Sequence, residues 1–80
     1  MTAKEALVAA VIRQLLLGQR ESLSIAGQIG QPIAAVNDAL CHLQTAYDGC
    51  IELTRPYAGE DRLVTVVAWE ALKRAAGSIR

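Results

Sequence analysis

Residues 22–49 read SLSIAGQIGQPIAAVNDALCHLQTAYDG, and the rest of the chain is interpreted outward from them. Leu23 to Ile29 forms a short helical segment. Ser22 or Ser24 can cap it, because a hydroxyl there accepts a hydrogen bond from an orphan amide. Gly30 ends it, and Gln31 leads into Pro32. Proline suits a first helical position, where its missing N–H is not needed. A longer helix then runs from about Pro32 to Asp48. Ile33, Val36, Leu40, Leu43 and Tyr47 recur at helical spacing and make its inward stripe. The opposite face carries Ala34, Ala35, Asn37, Asp38, Cys41, His42 and Thr45. Gly49 is a natural stop.

Upstream, Thr2-Ala3-Lys4-Glu5 fits a capping box, in which hydroxyl and carboxylate satisfy opposite amides. Val8, Val11, Ile12, Leu15 and Leu16 follow a single helical stripe toward the core. Gly18 closes this helix. Leu7, Ala10 and Leu17 lie off the stripe, so the helix is apolar on more than one face. Contact with the last helix or a dimer seam would each account for that.

Downstream, Cys50 to Arg55 alternates apolar and polar residues, the mark of a half-buried strand. Pro56 to Asp61 holds turn formers. Arg62 to Val67 is rich in β-branched residues and reads as a returning strand. The pair makes a hairpin. Ala68 to Gly77 is a final helix with Trp69, Leu72 and Ala76 on one face, Trp69 anchoring it in the core. Glu70 and Arg74 stand at pairing distance along it.

Composition sets the limits. Eighty residues hold one domain, with 52% hydrophobic residues, one Trp, two Tyr and no Phe, so the core is aliphatic. Eight basic and eight acidic side chains give zero formal charge. A nucleic-acid binder draws much of its affinity from cations on phosphates, so a neutral chain must concentrate them on one face or bind weakly. Cys41 and Cys50 read as free thiols of a reducing, cytoplasmic compartment. The apolar N-terminal run is broken by Arg13 and Gln14, which argues against a secretory leader or a membrane span.

Cys41, His42, Asp48 and Cys50 raise the question of a metal. Adjacent helical residues diverge by about 100°, and the paired spacings zinc prefers are missing, so no metal site is expected. A Cys–His catalytic pair fails on the same geometry. No glycine-rich phosphate loop or carboxylate pair stands out, so the expectation is a non-enzyme without cofactors.

The order helix, helix, turn, helix, hairpin, helix resembles the winged helix-turn-helix superfamily. Ile25 to Gly30 resembles its second helix and turn glycine. Pro32, Val36, Leu40 and Leu43 resemble the apolar spacing of its third helix, and Gly49-Cys50-Ile51 the entry to its wing. The resemblance covers nearly the whole chain and implies a fold that is α+β and mostly α: three helices, a two-stranded β-hairpin wing and a C-terminal helix. It also implies that the third helix enters the major groove while the wing lies on the backbone. Carried onto this sequence, the reading positions are Gln31, Ala34, Ala35, Asn37, Asp38, Cys41 and His42, and the wing positions are Arg55, Tyr57 and Arg62.

The third helix has no Arg or Lys, the usual partners of guanine and phosphate, and Asp38 would repel phosphates. Two functions therefore stand side by side. One is a small DNA-binding transcriptional regulator of bacterial, phage or plasmid origin, weak on double-stranded DNA per domain and dimeric through its first and last helices. The other is a protein-interaction module that docks a protein partner on its third helix, such as a phage-encoded inhibitor of a host complex like a CRISPR effector.

Overall fold

The computed structural model describes residues 2–46, 49–53 and 61–78. Tyr47, Asp48, Arg55 and Tyr57, named above, and the expected turn over residues 56–60 lie outside the described residues. The chain folds as α1 (Ala3–Leu16), α2 (Ser22–Ile29), α3 (Ile33–Ala46), β1 (Ile51–Leu53), β2 (Val64–Val66) and α4 (Trp69–Ser78). It is a mostly helical α+β domain.

The capping box forms as the sequence requires. The Glu5 amide donates to Thr2 Oγ1 at 3.1 Å, and the Thr2 amide to Glu5 Oε1 at 3.0 Å. Val8, Val11, Ile12 and Leu15 of α1 are fully buried. Leu16 departs from the stripe and is 37% exposed; Leu17, at 72%, faces solvent. At the other end of α1, Arg20 reaches back. Its guanidinium donates to the Leu15 and Gln19 carbonyls and lies 5.4 Å from the Trp69 ring centre.

Trp69 is 42% exposed, so it is not the core anchor the sequence suggests. Leu72 and Ala75 supply α4's buried face instead, with Ala76 half-buried. Arg20 covers part of the indole with a cation, which lets the ring remain near water. On α4 Glu70 and Lys73 form an ion pair at 3.6 Å.

α2 and α3 meet at Gly30. Its φ of 69° is left-handed, a region that costs other L-residues through Cβ contacts. The Gln31 amide then donates to the Ala26 carbonyl at 3.1 Å, closing the turn. α3 begins one residue after Pro32, whose carbonyl accepts the Val36 amide at 3.2 Å. Val36, Ala39, Leu40 and Leu43 are buried and Ile33 is half-buried. α1, α2 and α3 pack on one core with Ile25, Cys50, Ile51 and Val64.

β1 and β2 are antiparallel, with Ile51 opposite Val66 and Leu53 opposite Val64. Each strand buries its first residue, exposes the second and half-buries the third. A third backbone segment joins this ribbon. Glu21 forms an antiparallel bridge with Leu63, and the Val64 amide donates to the Arg20 carbonyl at 2.7 Å. The α1–α2 connector is therefore sheet-like, a pairing that its polar sequence Gln19-Arg20-Glu21 gives no sign of.

The start of α2 depends on that pairing. Glu21 occupies the cap position and makes no side-chain cap. Ser22 Oγ instead donates to Asp61 Oδ1 at 3.2 Å and accepts the Arg62 amide at 2.8 Å. Asp61 Oδ1 also takes the Leu23 amide at 2.9 Å. A carboxylate from the far end of the hairpin connection thus caps α2, where negative charge meets the positive end of the helix. Asp61, expected in a solvated turn, is buried.

Candidate recognition surface

The α2–Gly30–α3 unit sets where the outward side chains of α3 stand. With Val36, Leu40 and Leu43 turned inward, positions 34, 38, 41 and 45 fall on the far side of the helix. Ala34, Asp38, Cys41 and Thr45 are accordingly exposed. Ala35, Asn37 and His42 flank them and are half-buried. Thr45 spends its hydroxyl on the Cys41 carbonyl at 3.0 Å, a common local bond for a helical threonine.

This face is divided. Gln31, Ala35, Asp38, Cys41 and His42 line an open groove whose opposite wall belongs to α1. Ala34 and Asn37 lie outside it. Arg62 stands elsewhere again, half-buried at the foot of the hairpin, where its amide meets Ser22 Oγ and its carbonyl takes the Ser22 amide at 2.9 Å. Six of the seven α3-side residues named from sequence are thus brought onto one helix, but onto two flanks of it, and Gln31 lies in the turn before it.

Lys4, Leu7 and Ala10 complete the α1 wall together with Ala3 and Ala6, and Ile29 of α2 contributes at one end. None of these was singled out as a site residue in the sequence. The signal was present in the off-stripe positions Leu7 and Ala10, which continue the spacing of Ala3 and Ala6. Their partner could not be read, because the packing angle of α1 on α3 is a tertiary quantity.

The groove is sparsely charged, with Lys4 on α1 and Asp38 on α3. Cys41 and Cys50 are both free thiols in different settings. Cys41 is exposed; Cys50 is buried beneath α3 with its thiol 3.9 Å from the Leu43 carbonyl. Burial pushes the Cys50 thiol above its ordinary pKa, because the thiolate would lose its hydration. Among the described residues no three His, Cys, Asp or Glu side chains gather at a potential metal position. No described helix is long and apolar enough to cross a membrane.

No protein-family model, curated protein or solved structure matches the chain.

Proposed function

We propose that this chain is a winged helix-turn-helix domain that presents α3 to duplex DNA. What carries the reading is the backbone framework: α2, a left-handed turn at Gly30 and α3, followed by a ribbon to which the α1–α2 connector adds a third segment. That framework leaves Ala34, Asp38, Cys41 and Thr45 of α3 exposed, and a helix with an exposed outward face can lie in a major groove. Asn37 can meet adenine, and Arg55 and Arg62 are the cations nearest the wing in sequence. Two phosphate contacts per domain imply a slope of about −2 for log K against log salt.

The experiment is a salt titration with random-sequence duplex. Binding at low salt that weakens on adding salt is expected, and Arg62→Ala should reduce the slope by about 1. A chain that ignores duplex DNA at low salt ends this reading.

A second reading is favoured by the groove itself. Its walls are mostly uncharged, and α3 has no cation, which suits a protein segment better than a polyanion. Ala35, half-buried on the α3 wall, is the probe. Ala35→Arg should abolish capture of a protein partner with helix content unchanged; retained capture removes α3 from that interface.

A further inference from the structure

We infer that the α1–α3 groove seats a second copy of this chain, related by a twofold axis that sets Lys4 of each copy against Asp38 of the other. The inference concerns self-association and does not depend on what α3 recognises.

The groove uses a face of α1 that the core leaves over. Val8, Val11, Ile12 and Leu15 are consumed inside. Ala3, Ala6, Leu7 and Ala10 repeat at helical spacing on the adjoining face, the first two exposed and the others half-buried. Across from them stand Ala35 and the buried Ala39. The alanines on both walls allow a helix of the second copy to come within ordinary helix-packing distance.

Charge selects the occupant. The groove holds one cation on one wall and one anion on the other. Both residues are exposed, and among the described residues neither side chain is in an ion pair. A polyanion would meet Asp38, and a strongly basic partner would meet Lys4. In an isologous contact every pair i–j recurs as j–i. A groove with opposite charges on its two walls is then complementary to itself, and two Lys4–Asp38 pairs close together. The chain's formal charge of zero removes net repulsion between copies. Apolar burial supplies the affinity; exposed pairs of this kind add little to it and set orientation.

The sequence placed a dimer seam on the first and last helices; the groove assigns it to α1 and α3. Asp38, Cys41 and His42 are covered in such a dimer, so a second copy and any α3 target compete for one face.

Sedimentation of the full chain from micromolar to millimolar concentration tests this without any nucleic acid. The wild type should show a concentration-dependent dimer. Lys4→Asp and Asp38→Lys should each weaken it by about tenfold or more, and the double variant should recover it. Circular dichroism of each variant separates lost association from lost fold. A wild type that stays monomeric, its groove left to another protein or to solvent, overturns the inference. So does a dimer indifferent to both single changes, or a double variant that fails to recover.

Discussion

Ser22 and Asp61 are 39 positions apart in the chain and in hydrogen-bond contact in the fold, Oγ to Oδ1 at 3.2 Å. The same carboxylate oxygen takes the Leu23 amide, and the same hydroxyl takes the Arg62 amide. The contact joins the start of α2 to the foot of the hairpin. It explains how a helix with no local side-chain cap can begin cleanly, since its first amides are satisfied from across the domain.

Asp61→Ala should therefore destabilise the fold by about 1–3 kcal/mol, because it leaves buried donors without an acceptor. Asp61→Asn keeps an acceptor and should cost less. Urea unfolding is the measurement, with the midpoint falling and the slope unchanged. Equal stability of Asp61→Ala and wild type would show that the contact contributes nothing.

Two glycines, one inside α2 and one capping its end, should respond with opposite sign. Gly30 has a φ of 69° and Gly27 lies within the helix, and a Cβ at either would meet nothing within 4 Å. Gly30→Ala should cost about 1–2 kcal/mol from left-handed strain alone. Gly27→Ala should stabilise by about 0.5–1 kcal/mol through helix propensity. Thermal unfolding of the two variants checks both signs at once.

The two thiols should separate kinetically. Cys41 should react with a thiol reagent at once in the native protein, and Cys50 only after denaturation. Because burial raises the Cys50 pKa, its contribution is present below the ordinary value of 9.0 and is lost as pH rises through the raised folded value. Stability should accordingly decline above pH 9.0 in the wild type and less steeply in Cys50→Ala.

Glu5 gives the acid counterpart. The Thr2 amide bonded to its carboxylate, followed by the Thr2 hydroxyl, holds its pKa below the ordinary 4.5. A lowered carboxylate pKa stabilises above the unfolded value and loses that stabilisation as pH falls through the folded one. The Thr2 amide resonance should therefore titrate with a midpoint below 4.5. In Glu5→Gln the titration should vanish. A midpoint at or above 4.5 would mean that the capping box does not persist in solution.

Much of this molecule is legible in its residue order, because helix signals are local. The Thr2–Glu5 box, the buried stripe from Val8 to Leu15, the left-handed Gly30 and the inward set Val36, Leu40 and Leu43 follow from spacing and backbone preference. Periodicity states which side of α3 faces the core, and therefore which residues face out. Even here Leu16 shows the limit: it keeps the helical spacing yet is 37% exposed.

What only the tertiary structure decided are the relations between distant segments. Nothing in Gln19-Arg20-Glu21 announces strand pairing, since the hydrogen bonds lie with residues 62–64. Trp69 looks like a core residue by type and is 42% exposed, with the Arg20 guanidinium from a distant segment 5.4 Å from its ring centre. Asp61 looks like a loop residue and is a buried helix cap. The outward residues of α3 were readable one by one, but their opposite wall, with Lys4, Leu7 and Ala10, came from the packing of α1 beside them. Local sequence determined the helices and the faces they present. Long-range packing decided what those faces enclose, because a groove belongs to two elements and neither encodes the other's angle.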